Sequence, residues 1–146
     1  MEFDKAIAHY REAIRLDPGN AEPHFNLGVT LNKRMRLQEA VAHYKEAIRL
    51  KPDFAPAHFN LGNTLGEQGN YEEARVHYEL AIKFDPGHAE AHNNLGSVLG
   101  EQENYEEAIT HFKMAIKIAP GYTDAHNNLG IARSMMGEAN VPGGKQ

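Results

Sequence analysis

Histidine is the most conspicuous chemistry-bearing residue of this 146-residue chain, which holds nine of them and no cysteine. Imidazole is a common metal ligand, and its charge changes near neutral pH. Eight of the nine fall into two series, His24, His58, His92, His126 and His9, His43, His77, His111. Neighbours within each series are 34 residues apart, so repetition accounts for their number. The ninth, His88, makes His-Ala-Glu-Ala-His with His92. Two histidines at i and i+4 can share one helix face and hold a metal. Here Glu90 sits at the centre of the segment, so the pattern is not His-Glu-x-x-His, and no third ligand is indicated. The expectation is no metal and no cofactor. The carboxylate pairs Glu72-Glu73 and Glu106-Glu107 open candidate helices, where negative charge suits the helix dipole. With no nucleophile–base set and no phosphate-cradling loop, the chain is not expected to be an enzyme.

The same ruler carries a row of amides. With Ala21 as the first position of a repeat, the sixth position is Asn26, Asn60, Asn94 and Asn128. Asn is not a favoured residue inside a helix, so propensity does not explain the row. Its amide both donates and accepts, and can bond both groups of a peptide backbone. Either the row contacts a ligand or it bonds neighbouring helices to one another. The fifth position is Phe25, Phe59, Asn93 and Asn127. Two exposed phenylalanines on adjacent repeats would anchor a partner side chain, or else they pack against the preceding repeat. Asn63, Ser97, Gly66 and Gly100 keep the same face small and polar.

The elements that must position these residues are short helices. Pro18, Pro52, Pro86 and Pro120 mark a period of 34 residues. In the first half of a repeat His58, Leu61, Gly62 and Leu65 lie at i, i+3, i+4 and i+7; in the second half Ala74, Tyr78, Ala81 and Ile82 make a similar stripe. Gly69-Asn70 signals the turn between the halves, and Asp85-Pro86-Gly87 ends the second helix. Gly28, Gly62, Gly96 and Gly130 each cost a helix interior about 1 kcal/mol relative to alanine. A cost repeated in register predicts close approach of two helix backbones, with Ala40, Ala74 and Ala108 facing them and Tyr10, Tyr44, Tyr78 and Phe112 filling space. Complete repeats span 21–54, 55–88 and 89–122. Residues 1–20 supply a second helix, residues 123–137 a first helix, and 138–146 read as a disordered tail. The array is therefore 1–137.

A 34-residue unit with Leu-Gly, Ala-x3-Tyr, Ala and Pro in these places resembles the tetratricopeptide repeat family, and the resemblance covers residues 3 to about 136. His stands where the family has Trp, and Leu where it has its first Tyr. The resemblance implies an all-α, right-handed superhelical solenoid of helix-turn-helix units. First helices would line a concave groove and second helices the convex back. It implies a non-catalytic scaffold that binds an extended peptide or partner segment through Phe25, Asn26, Phe59, Asn60, Asn63, Asn93, Asn94, Asn127 and Asn128. The amide row is similar to the asparagine ladder in the repeat region of O-linked N-acetylglucosamine transferases. The family's carboxylate clamp for acidic chaperone tails uses Lys and Arg beside Asn; Phe25, Phe59 and Asn128 stand in those places, so capture of an acidic tail is not expected.

Composition narrows the partner. The net charge is −5 and no basic stripe is visible, which argues against nucleic acid. No run approaches the roughly 18 apolar residues that span a bilayer, so no membrane is expected, and residence is expected to be cytoplasmic. Charges near the groove are mostly acidic, Glu22, Glu67, Glu90, Glu101 and Asp124 against Lys33, which favours a neutral or basic polypeptide. Two alternatives to peptide binding remain. One is self-association, in which Phe3, Ile7 and Tyr10 of one copy meet Leu129 and Met135-Met136 of the next, head to tail. The other is a substrate-recruiting part of a larger enzyme such as an O-linked glycosyltransferase. Semi-buried neutral histidines would also make the array lose stability as pH falls through the range near and below about 6.

Overall fold

The computed structural model describes residues 2–139, with side chains described up to Gly137. Among the described residues there are eight α-helices and no strand: α1 (Glu2–Leu16), α2 (Ala21–Lys33), α3 (Leu37–Leu50), α4 (Ala55–Glu67), α5 (Tyr71–Phe84), α6 (Ala89–Glu101), α7 (Tyr105–Ile118) and α8 (Thr123–Ala139). The expected tail lies outside the described residues, except that α8 runs on to Ala139. No helix among them is long and apolar enough to cross a membrane. The chain forms two compact units, residues 1–84 and 85–146. In the first, each helix from α1 to α5 packs on the next, and α2 also lies beside α4. In the second, α6 packs on α7, α7 on α8, and α6 lies beside α8.

Local chemistry sets the helix ends. The Asn20 side chain accepts a hydrogen bond from the Glu22 N–H at 3.0 Å and caps α2. Pro56 sits in the first turn of α4, where its missing N–H has no helical partner to lose. The turn joining the two helices of a hairpin needs one left-handed residue. Gly69 takes that place with φ of 77°, whereas Met35 and Glu103 hold φ of 57° and 61° there despite their side chains.

Each hairpin closes on a leucine–alanine seam. Leu61 and Leu65 of α4, with Ala74 and Ala81 of α5, are almost wholly buried, as are Leu95, Leu99, Ala108 and Ala115 in α6 and α7. The glycines do not bring two backbones together, as their spacing suggests. Three of the four instead receive an aromatic ring. A Cβ on Gly28 would lie 2.7 Å from Tyr44, on Gly62 2.8 Å from Tyr78, and on Gly96 2.7 Å from Phe112. Gly130 has nothing within 4 Å of its Cβ position. The buried stripe of the first helices is also wider than leucine spacing suggests: Ala57, Ala91 and Ala125 are fully buried, as are Thr64 and, nearly so, Val98 and Ala132.

The ring hydroxyls differ between hairpins. Tyr78 Oη donates to Asn63 Oδ1 at 2.8 Å. Tyr44 is completely buried and its hydroxyl has no hydrogen bond, because Val29 occupies the place Asn63 has in the next repeat. Burial pushes the Tyr44 phenol up to about 12 against a smaller opposing pull from nearby Asn32, whose amide donates to Thr64 instead. Tyr78→Phe should therefore cost about 1 kcal/mol, while Tyr44→Phe should be neutral or stabilising. Gly62→Ala should destabilise despite better helix propensity, by about 1–2 kcal/mol, because the Tyr78 ring must move. Urea unfolding of the three variants checks these values; a Tyr44→Phe loss as large as that of Tyr78→Phe would contradict the hydrogen-bond account.

Candidate functional site

The candidate binding residues all lie on first helices, on α2 and α4 in the first unit and on α6 and α8 in the second. In the first unit Asn26 is half-buried and its amide makes no hydrogen bond among the described residues. Asn60, also half-buried, donates to the Pro56 carbonyl of its own helix at 2.9 Å. Asn63 is occupied by Tyr78. Phe25 and Phe59 are half-buried rather than exposed. The Phe25 ring lies 6.1 Å from Tyr44 and 5.1 Å from Phe54, and Phe59 lies 6.1 Å from Tyr78. Phe25 thus packs within its own repeat, against Tyr44 and against Phe54 at the cap of α4, and each phenylalanine offers only part of its ring to a partner.

In the second unit three amides form one network. Asn128 of α8 donates to Asn93 Oδ1 of α6 at 3.0 Å, and Asn93 donates to Asn94 Oδ1 at 3.2 Å. Asn93 is buried, so its amide serves packing between α6 and α8, while Asn94 and Asn128 stay half-buried at the rim. Asn127 is exposed and makes no bond within this network. Beside Asn128 the unit opens into a cavity of about 410 Å³ between α6, α7 and α8. Ser97 and Gly100 lie on its α6 side, Phe112 and Tyr105 on its α7 side, and Ile131 and Met135 on its α8 side. Sequence reasoning picked out Ser97, Gly100, Glu101 and Asn128, and Met135 for self-association, but missed Glu103, Tyr105 and Ile131. The readable signal was Glu103 in place of the turn glycine Gly69 and Ala132 in place of Thr64, beside the Gly100-Glu101 pair that repeats Gly66-Glu67.

The histidines pair across each hairpin. His24 and His43 Nδ1 atoms lie 3.1 Å apart, those of His58 and His77 3.1 Å, and those of His92 and His111 3.0 Å. His58 Nε2 donates to the Pro52 carbonyl at 2.9 Å. A carbonyl only accepts, so the His58 proton sits on Nε2 and its Nδ1 accepts from His77 Nδ1–H. His126 likewise donates to the Pro120 carbonyl at 2.9 Å. His88 is not aligned with His92 on a helix face. It caps α6, its Nδ1 accepting from the Ala91 N–H at 3.2 Å. No group of three His, Asp or Glu able to hold a metal occurs among the described residues.

Burial holds His24, His43, His77 and His92 below the ordinary histidine range, His77 to about 4. For His43 the positive form of His24 adds to the effect, for His77 that of His58, and for His92 that of His111. Lys45 lowers His77 further and Glu73 opposes it.

Two profiles of the tetratricopeptide repeat match the sequence, one over residues 53–121 and another over 2–34 and 30–69. Together with the helical hairpins they define the class, and the chain belongs to the tetratricopeptide repeat family. Among solved structures, a crystal structure of MamA shares 27% identity, covers 92% of this chain and 79% of its own, and superposes with a TM-score of 0.87. MamA from Desulfovibrio magneticus RS-1 shares 23% identity over 93% of this chain and 77% of its own, with a TM-score of 0.85. The first tetratricopeptide domain of Spaghetti (RPAP3), bound to the HSP90 peptide SRMEEVD, shares 17% identity over 81% of this chain and 94% of its own, with a TM-score of 0.78. The all-α tetratricopeptide solenoid fold expected from the sequence is thus the fold observed. Among curated proteins no match was found.

The depressed histidine pKa values have a definite sign. Between the folded value and the unfolded value near 6.5 the unfolded chain binds more protons, so stability is full above about 6.5 and falls as pH drops. His77 alone should account for about 1–2 kcal/mol of loss by pH 4, after allowance for its partial exposure. Thermal unfolding at stepped pH values tests this, and the fall should shrink in His77→Gln. A melting temperature flat from pH 7.5 to 5 would contradict the assignment.

Proposed function

We propose that the chain is a non-catalytic scaffold that binds an extended polypeptide along the first-helix face of each unit. The open cavity beside Asn128 carries this reading, because it is space on the first-helix side that no side chain among the described residues fills. The half-buried amides of Asn26, Asn60 and Asn94 border the same side of their helices and can bond a partner backbone without reading its side chains. Exposed Glu22, Glu67, Glu90, Glu101 and Asp124 outnumber Lys33 there, which supports a neutral or basic partner over an acidic tail. Asn26→Ala with Asn60→Ala should weaken a peptide selected from a random displayed library about tenfold, with helicity unchanged or raised. Undiminished binding would overturn the reading.

One observation favours a second reading, self-association through α8. The place above Gly130 is open, whereas Gly28, Gly62 and Gly96 each carry an aromatic ring. Tyr10, half-buried on α1, is the ring that a second copy would offer. Sedimentation of the whole chain over a wide concentration range tests this, and a strict monomer at the highest concentration removes it.

A further inference from the structure

We infer that the cavity of the second unit receives a lysine or arginine side chain, with a neighbouring aliphatic residue, from a partner polypeptide. The inference rests on the first-helix face being the binding surface, and adds the chemistry of the residue bound there.

The repeats themselves show what is unusual about this cavity. In the first unit the corresponding place between α2 and α4 is closed by Asn32, whose amide donates to Thr64 Oγ1 at 2.7 Å. In the second unit both halves of that bond are missing. Gly100 stands for Asn32 and Ala132 for Thr64, and nothing lies within 4 Å of the Gly100 Cβ position. The result is a cavity of about 410 Å³. That falls within the range of roughly 300–1,000 Å³ typical of ligand pockets, larger than one side chain requires.

The charge is reversed as well. Lys33 and Met35 in the first unit become Glu101 and Glu103, both exposed and both lining the cavity. No lysine or arginine lines it, and neither carboxylate forms an ion pair among the described residues. Glu103 is also held at φ of 61°, in a turn position that Gly69 fills without strain. The walls are apolar: Ile131 is 62% and Met135 42% exposed, with Phe112 and Tyr105 opposite. Carboxylates at the mouth and apolar walls behind match a side chain with an aliphatic stem and a cationic head. The Tyr105 ring offers that head a further attractive surface. An aliphatic neighbour would cover Ile131 and Met135. An acidic side chain would meet two like charges, and a purely apolar one would leave the carboxylates facing it unpaired.

The test is an amide chemical-shift titration of the isotopically labelled full chain. The probe is the blocked peptide Ser-Gly-Leu-Arg-Leu-Gly-Ser, compared with the same peptide carrying Glu in place of Arg. Shifts are expected to centre on Gly96, Ser97, Gly100 and Ile131, with the Glu peptide at least about tenfold weaker. Glu101→Gln with Glu103→Gln should weaken the Arg peptide by a similar factor and flatten its salt dependence. Gly100→Leu should fill the cavity and remove binding while leaving the melting temperature unchanged or higher, which separates blocking from unfolding. Equal affinity for both peptides, or no shifts at millimolar peptide, would overturn the inference. Shifts confined to α2 and α4 would overturn it while leaving the first-helix reading intact. Shifts confined to α3, α5 and α7 would overturn both.

Discussion

An aromatic ring resting on a glycine is the contact on which every complete hairpin depends. Tyr44, Tyr78 and Phe112 from second helices lie so close to Gly28, Gly62 and Gly96 that no side chain fits between them. The ring buries a large apolar surface and also fixes the spacing of the two helices. That spacing lets the small Ala40, Ala74 and Ala108 seat against leucines with almost no exposed area. It also brings the histidine of the first helix within hydrogen-bond distance of the histidine nineteen residues on. The helix-propensity cost of the glycine is thereby offset by packing that alanine could not permit.

The period and the helix type were legible because repetition multiplies weak signals. One Leu-Gly or one Pro proves little, but the same residues at four registers leave few alternatives. What the glycines were for was less legible. Spacing showed that something comes close, and could not show whether it was a backbone or a ring. The buried Thr64 escaped notice because a hydroxyl reads as surface, yet it bonds the Asn60 carbonyl and the Asn32 amide and is fully satisfied inside. At the candidate site, the amide row could be read but not its division of labour. Asn128 donates to Asn93 and holds α8 to α6, whereas Asn26, at the same repeat position, makes no such bond. One residue type at equivalent positions serves packing in one place and stays available in another, according to whether the next helix offers a matching acceptor.

The histidine pairs show how a polar residue is tolerated beside a core. Each ring finds a partner across the hairpin, and His58 a second one in the Pro52 carbonyl. Satisfied in this way, neutral imidazole costs little on burial. The pair can carry one proton shared along the Nδ1–Nδ1 contact; a second would set two N–H groups against each other at 3.1 Å. The same geometry that suits the fold at neutral pH therefore opposes it in acid, with no metal or catalytic role required.

Specificity in a repeat protein must come from departures from the repeat, because what all copies share cannot distinguish one place along the chain from another. The shared residues here, the ring–glycine contacts and the leucine–alanine seams, build the framework. The departures fall at one turn: Asn32, Lys33 and Met35 close one hairpin where the other two carry Gly66-Glu67 and Gly100-Glu101, and Glu103 replaces the turn glycine Gly69. A change that only stabilised the fold would have filled the space at Gly100, since alanine there meets no neighbour and suits a helix better. Retaining glycine in a helix, and glutamate at a left-handed turn, runs against local stability at two points that line one cavity. Local departures of that kind, gathered at one concave place, are what a binding site produces.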